Sequence, residues 1–66
     1  MELHIKIKEL REEKELSHRE LAKILGVAYP RISEWENQKV RPSYESLIKM
    51  AQLFNVTTDY LLGLEN

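Results

Sequence analysis

The absence of cysteine in a chain of only 66 residues limits the possible folds most. Neither a disulfide nor a thiolate metal site can support the structure, so its stability has to come from packing. A chain this short has material for one core, which predicts a single domain over residues 1–66. Hydrophobic residues make up 42% of the sequence and charged residues 32%, a composition typical of folded proteins rather than disordered ones.

Apolar side chains near the start of the chain repeat at helical spacing. Leu3, Ile7 and Leu10 are four and three residues apart, which predicts one buried face of a first helix between Leu3 and Lys14. The segment from Leu3 to Lys8 also alternates apolar and polar side chains, as a half-exposed strand does. A short N-terminal strand that pairs between subunits is therefore the alternative.

Capping residues and a glycine divide the middle of the chain. Ser17 is followed by Glu20 at the spacing of a capping box, and Gly26 can end a helix, so helix 2 is predicted at about 18–25. Pro30 is tolerated in a first helical turn, where an N–H would have no partner. Helix 3 is therefore predicted at about 29–37, with Ile32 and Trp35 facing inward.

Two further helices are predicted after the break at Pro42. Ser43 and Thr57 are good capping residues, and Gly63 can close the last helix. Between the two caps, apolar residues repeat at helical spacing: Leu47, Met50, Ala51 and Phe54. The sequence therefore predicts an all-α fold of five helices.

Two short helices joined by a tight turn around a glycine are typical of a DNA-reading unit, because the second helix can enter a major groove about 12 Å wide. The residues themselves resemble the lambda-repressor-like family of Cro and Xre-type helix-turn-helix domains. The segments that carry the resemblance cover nearly the whole chain: Leu10-Arg11-Glu12, Leu16-Ser17, Glu20-Leu21-Ala22, Leu25-Gly26-Val27, Ile32-Ser33, Trp35-Glu36-Asn37, Arg41-Pro42-Ser43 and Asp59-Tyr60-Leu61-Leu62-Gly63. The resemblance implies a sequence-specific transcriptional regulator, a repressor that binds a palindromic operator in double-stranded DNA as a homodimer.

The resemblance also implies that helix 3 is the recognition helix. Arg31 is then suited to bond guanine O6 and N7, Tyr29 to contact a thymine methyl group or a phosphate, and Glu34 to accept from cytosine N4. The alternatives are a solvated Arg31, a Tyr29 packed against helix 2 and an exposed Glu34 without a task. The full set of candidates for base contact comprises Ala28, Tyr29, Pro30, Arg31, Ser33 and Glu34.

Residues that flank the recognition helix are placed by the resemblance to bind phosphates, which positions a protein on DNA without specifying the sequence. These candidates are Ser17, His18, Asn37, Lys39 and Arg41. His18 opens helix 2, where the helix N-terminus attracts anions, although a solvated surface histidine is the alternative. Arg11 and Glu36 match a partly buried ion pair of the family, which gives them a structural role.

Two positions depart from the family pattern. Glu15 and Gln38 stand where glycine usually ends helix 1 and helix 3. A non-glycine residue in the left-handed conformation costs about 1 kcal/mol, so the sequence predicts either strained turns or a different backbone. A different backbone after helix 3 would move Asn37 and Lys39 away from the inferred phosphates.

Charge and side-chain chemistry narrow the alternatives. The net charge is −1, which favours a rival function as a protein-interaction module, such as an antitoxin or antirepressor partner on the same fold. Residues 16–41 nevertheless carry five basic and three acidic side chains, a local excess of positive charge beside the predicted recognition helix. With two histidines, no cysteine and no metal-ligand spacing, the sequence predicts no enzyme, metal, cofactor or small-molecule ligand.

The sequence also suggests where the protein acts and how it assembles. It has no apolar run of membrane-spanning length and no signal-like start, so a cytoplasmic protein without a membrane partner is expected. A homodimer is expected because one such domain reads only a few base pairs. The contact is expected either at Phe54, Tyr60 and Leu64 or at the segment from Leu3 to Ile7.

Overall fold

Five helices make up the fold in the computed structural model, which describes residues 3–64. They are α1 (Leu3–Glu13), α2 (His18–Leu25), α3 (Pro30–Glu36), α4 (Tyr44–Phe54) and α5 (Thr58–Leu61). The described part of the chain contains no strand, which confirms the all-α prediction. None of these helices has the length and apolar character that crossing a bilayer requires.

The alternative of a short N-terminal strand is wrong, because Leu3 to Lys8 forms the first turns of α1. A strand would place Leu3, Ile5 and Ile7 on one face. Instead Ile7 is fully buried, Leu3 and Leu10 pack against the core, and Ile5 is 45% exposed. The burial of Leu3, Ile7 and Leu10 on one helical face therefore outweighs the alternation of apolar and polar side chains between Leu3 and Lys8.

Every helix contributes to a single core. The largest fully buried side chains come from all five elements, and each adds roughly 1.5–3 kcal/mol to stability through the apolar area that it buries. They are Ile7, Leu21, Leu25, Ile32, Met50 and Leu61. Phe54, expected at a dimer contact, is only 6% exposed and belongs to this core, so that expectation is wrong.

Side chains cap three of the helices at their N-termini. Ser17 Oγ accepts from the Glu20 N–H at 3.1 Å while the Ser17 N–H donates to Glu20 Oε1 at 2.8 Å, which is the predicted capping box. These hydrogen bonds hold the pKa of the exposed Glu20 carboxyl below its usual value. Ser43 and Thr57 cap α4 and α5 in the same way, each accepting from the backbone three residues later.

The five helices all end in the same backbone turn. After α1, the Leu16 N–H donates to the Arg11 carbonyl and the Glu15 N–H donates to the Glu12 carbonyl, the pair of hydrogen bonds that defines a Schellman motif. The residue in the left-handed conformation has a φ of 57° at Glu15 and 60° at Gln38. Glu15 and Gln38 therefore adopt the left-handed backbone that glycine would adopt at these positions. Of the two predicted outcomes, a strained turn and a different backbone, the structure shows the strained turn.

We expect Glu15→Gly and Gln38→Gly each to raise the free energy of unfolding by about 0.5–1 kcal/mol, because glycine adopts the left-handed conformation without steric cost. Chemical denaturation measures the change. Gly26→Ala is the matched opposite, since its φ is 73° and an added Cβ would meet only Lys49 Nζ at 3.9 Å. It should destabilise by about 1 kcal/mol through conformation alone. If Glu15→Gly and Gln38→Gly left the free energy of unfolding unchanged, that result would contradict the strain at these turns.

Candidate nucleic-acid interface

The α2–turn–α3 unit, residues 18–36, presents one face of α3 to solvent. Gly26 turns the chain after α2, and four residues, 26–29, connect the two helices. Ile32 and Trp35 are buried in the core, which leaves the opposite face of α3 exposed. This face lies on a seven-residue helix that is held from behind.

Helix α3, the predicted recognition helix, is one residue shorter at each end than the sequence predicted. Tyr29 has helical backbone angles but no side-chain cap, and Pro30 stands at the first helical position. The Ala28 carbonyl accepts from the Arg31 N–H, and the Tyr29 carbonyl accepts from the Ile32 N–H. Both hydrogen bonds join residues three apart, as in a 3₁₀ turn. Asn37 ends the helix with a φ of −99°, and Gln38 then reverses the chain.

The candidates for base contact lie at the start of α3 and along its outer side. Ala28, Tyr29, Pro30 and Arg31 are exposed, whereas Ser33 and Glu34 are half-buried. Arg31 and Glu34 form an ion pair one turn apart, with Nη1 3.5 Å from Oε1. Arg31 is therefore accessible and lies beside a carboxylate of its own helix.

Tyr29 lies beneath an arginine of α2. The Arg19 guanidinium carbon is 4.4 Å from the centroid of the Tyr29 ring, a cation–π contact that joins the first turn of α2 to the start of α3. Tyr29 itself is 47% exposed, so it is neither free nor buried against α2. This contact adds Arg19 to the residues that border the exposed face of α3.

Three of the phosphate candidates already have partners within the chain. Ser17 forms the capping box of α2. His18 Nε2 lies 3.1 Å from Glu36 Oε1, and Asn37 Nδ2 donates to the Ser33 carbonyl at 2.9 Å. Lys39 and Arg41 differ from these, because both are exposed and neither forms an ion pair within residues 3–64.

Glu36 connects three helices through hydrogen bonds. Arg11 Nε donates to Glu36 Oε2 at 2.7 Å and Nη2 donates to Oε1 at 3.2 Å, while Nη1 donates to the Leu16 carbonyl at 2.8 Å. The Arg11 and Glu36 side chains are only 12% and 7% exposed. This cluster of Arg11, His18 and Glu36 holds α1 and the start of α2 against the end of α3.

The cluster also changes how its two charged members titrate. Burial acts to raise the pKa of Glu36, but hydrogen bonds from Arg11 and His18 outweigh it and hold this pKa below its usual value. The hydrogen bond to Glu36 raises the pKa of Arg11. Both side chains are therefore charged at neutral pH, and each compensates the other where solvent is scarce.

A concave pocket of about 440 Å³ opens between α3 and the start of α4. Arg31 lines it from α3, and Arg41 and Ser43 line it from the connecting segment. The two guanidinium groups make this pocket a cationic border to the exposed face of α3. No group of three or more His, Cys, Asp or Glu side chains suited to a metal ion occurs among residues 3–64.

Comparison with known proteins identifies the family. The helix-turn-helix family model matches residues 7–61, which is well over half of the chain. The chain belongs to the helix-turn-helix family. This result confirms the resemblance seen in the sequence.

Individual relatives and solved structures of the helix-turn-helix family agree with this result. The chain is 42% identical over 63 residues to the HTH-type transcriptional activator BcrR of Enterococcus faecalis, covering 96% of this chain but 31% of BcrR. The P22 c2 repressor, solved with a synthetic operator, superimposes with a TM-score of 0.87 at 27% identity and 96% coverage of both chains. The N-terminal DNA-binding domain of SinR from Bacillus subtilis has a TM-score of 0.83 at 34% identity, with 92% and 90% coverage.

Sequence reasoning missed two residues that shape the helix-turn-helix. The sequence indicates Arg19 only as one of the five basic side chains of residues 16–41, whereas the structure places it on the exposed side of α2. Lys49 of α4 was not considered at all, yet its Nζ donates to the Leu25 carbonyl at the end of α2, at 3.2 Å. A cation that donates to a free carbonyl at a helix C-terminus is favourable, so Lys49 of α4 stabilises the turn between α2 and α3.

Proposed function

We propose that this domain binds a palindromic operator in double-stranded DNA as a homodimer and represses transcription. The observation that carries the proposal is the exposed outer face of α3, whose inner side is anchored by Ile32, Trp35 and the Glu36 cluster. A helix held in this way can enter a major groove without rearranging. The structural likeness to the P22 c2 repressor supports the same mode of binding.

In this proposal the residues around α3 divide into two groups. Arg31 contacts a guanine, and the neighbouring candidates Ala28, Tyr29, Pro30 and Ser33 contact base edges or thymine methyl groups. Lys39 and Arg41 bind phosphates on one side of α3. Ser17, His18 and Asn37 add phosphate contacts through polar atoms that their hydrogen bonds within the chain do not use. The exposed Arg19, above Tyr29, joins the phosphate contacts.

The dimer is part of the proposal because two copies read half-sites about 34 Å apart, one turn of the duplex. Leu64 is 73% exposed and follows α5, which makes it a suitable contact residue once Phe54 is assigned to the core. The Tyr60 ring is less available, since Lys6 Nζ lies 4.2 Å from its centroid. Sedimentation on a selected palindromic duplex tests this point, and one copy per duplex would contradict it.

Repression and a cytoplasmic location also belong to the proposal. The P22 c2 protein is named a repressor and BcrR an activator, so the direction of regulation needs its own measurement. A reporter driven by a promoter that overlaps the selected operator should lose expression when this protein is supplied. Increased expression would assign the protein as an activator and leave the DNA-binding part of the proposal intact.

We expect Arg31→Ala to relax the preference at one base position of each half-site and to weaken binding to the selected palindrome by about 10-fold per half-site. The fold should be unaffected, because the Arg31 side chain is 54% exposed. Selection from random duplexes at two salt concentrations, followed by titration, measures both effects. Lys8→Ala, an exposed cation of α1, is the control and should change neither.

The same titrations separate DNA binding from a protein-interaction module. Binding to a selected duplex that weakens steeply with added salt supports the proposal, because phosphate contacts release counterions. If wild type binds no duplex above the level of random sequence even at low salt, the proposal fails. The protein-interaction module then becomes the better explanation.

A further inference from the structure

One ion pair lies on the exposed face of the recognition helix. Arg31 and Glu34 are one helical turn apart, with Nη1 3.5 Å from Oε1 and side chains that are 54% and 40% exposed. Arg31 is the only cation of α3, and the other acid of that helix, Glu36, is engaged in the buried cluster. The charge on the outer face of α3 therefore consists of this pair and is balanced.

The spacing of the pair suits two neighbouring base pairs. Residues three apart on a helix are about 4.5 Å apart along its axis, close to the separation of about 3.4 Å between successive base pairs. In the major groove, guanine presents the acceptors O6 and N7 whereas cytosine presents the N4 amino donor. A guanidinium beside a carboxylate is thus complementary to a guanine followed by a cytosine.

The carboxylate also affects binding to other sequences. Glu34 adds a negative charge to the exposed face of α3 and pairs with Arg31, so it competes with phosphates for that guanidinium. An exposed pair of this kind is weak, so a guanine can displace it at little cost. On an unsuitable sequence the pair stays closed, and attraction to DNA depends on the flanking cations such as Lys39 and Arg41.

We propose that Arg31 and Glu34 act as one specificity unit that reads a guanine and a cytosine in neighbouring base pairs of each half-site, while Glu34 weakens binding to other sequences. The inference rests on the proposed function, because it assumes that α3 enters the major groove. It goes beyond that function by assigning two positions of the operator and by giving the acidic residue a role in discrimination.

Selection from random duplexes by wild type, Glu34→Gln and Arg31→Ala tests the inference. Wild type should enrich adjacent guanine and cytosine. Glu34→Gln should lower the preference for cytosine by about 10-fold and shift that position toward adenine, because glutamine pairs with adenine N6 and N7. It should also weaken the preference for guanine, because no carboxylate then holds Arg31 away from phosphates on other sequences. Its affinity for random-sequence duplexes should rise about threefold, since one acidic charge has been removed from the DNA-facing side.

Glu9→Gln provides the matched control, because it removes the same charge from an exposed position of α1. It should leave both the enriched sequence and the affinity for random duplexes close to those of wild type. An unchanged sequence preference in Glu34→Gln would overturn the inference. Equal gains in random-duplex affinity for the two variants would also overturn it, because the effect would then be one of total charge.

The experiment distinguishes this inference from the proposed function. If wild type enriches a palindrome in which no guanine and cytosine are adjacent, the specificity unit is wrong and the proposed function stands. If wild type enriches no sequence, both fail together. Circular dichroism of each variant confirms that the fold is intact before its preference is compared.

Discussion

Replacing Glu36 with glutamine is expected to lower the free energy of unfolding by about 3 kcal/mol. The substitution leaves the Arg11 guanidinium, 12% exposed, without its carboxylate, and its acceptors are then the Leu16 carbonyl and one neutral amide oxygen. Breaking one side of a buried ion pair costs roughly 3–5 kcal/mol, and these remaining hydrogen bonds place this site at the lower end. A domain of this size has only roughly 3–10 kcal/mol of stability in total, so urea denaturation should show a large shift of the midpoint.

A double substitution separates the missing charge from lost packing. Arg11→Met with Glu36→Met removes both charges and keeps apolar volume, so it should be more stable than Glu36→Gln alone. Glu20→Gln is the exposed comparison and should have a far smaller effect. A change below about 0.5 kcal/mol in Glu36→Gln would show that the pair is no more valuable than one on the surface.

The pH dependence of stability follows from the same carboxylate. The pKa of Glu36 is below its usual value in the folded state, so its contribution is present above the ordinary glutamate pKa and is lost as pH falls through the lowered one. Wild type should therefore lose stability below about pH 4.5. In Glu36→Gln this part of the acid loss should disappear, leaving a flatter profile.

The second large effect is expected on DNA binding. Lys39→Ala with Arg41→Ala should reduce the slope of log K against log salt by about 2 per half-site, which is about 4 for the homodimer, and weaken binding at about 50 mM salt by roughly 100-fold per half-site. Both side chains are exposed and form no ion pair within residues 3–64, so they are available to phosphates. Titrations of a selected and a random duplex over a range of salt concentrations give both quantities.

The two duplexes should weaken by the same factor, because phosphate contacts carry no sequence preference. That uniform loss distinguishes Lys39 and Arg41 from Arg31, whose removal should affect the selected duplex more. Lys8→Ala on α1 is the control for the loss of a surface cation. An unchanged salt slope in the double variant would remove Lys39 and Arg41 from the interface.

Helix ends were predictable because the residues that set them are close in sequence. Ser17 and Glu20 predict the start of α2 and Gly26 predicts its end, and the structure has the helix between these positions. The boundaries of α3 were less accurate, since Pro30 leaves its first turn without a side-chain cap. Periodicity alone could not decide between helix and strand at the N-terminus, where burial of Ile7 by other helices was needed.

Contacts between distant residues were beyond the sequence. Whether His18 points to solvent or to Glu36, 18 residues away, depends on how α2 and α3 cross. The same is true of Arg19 above Tyr29 and of Lys49 at the end of α2. Exposed candidates could be selected by excluding the core positions, but their side-chain partners required three-dimensional geometry.

Helix α3 has seven residues, and isolated helices shorter than roughly 12–15 residues are marginal in water. Its order therefore comes from Ile32, Trp35 and Glu36, which are attached to the rest of the domain. Ordering entropy is lost once, when the chain folds, rather than at each encounter with DNA. In the proposed function, operator occupancy therefore scales with the folded fraction, so heat or acid that unfolds the core should also release the operator, and bound DNA should in turn raise the melting temperature.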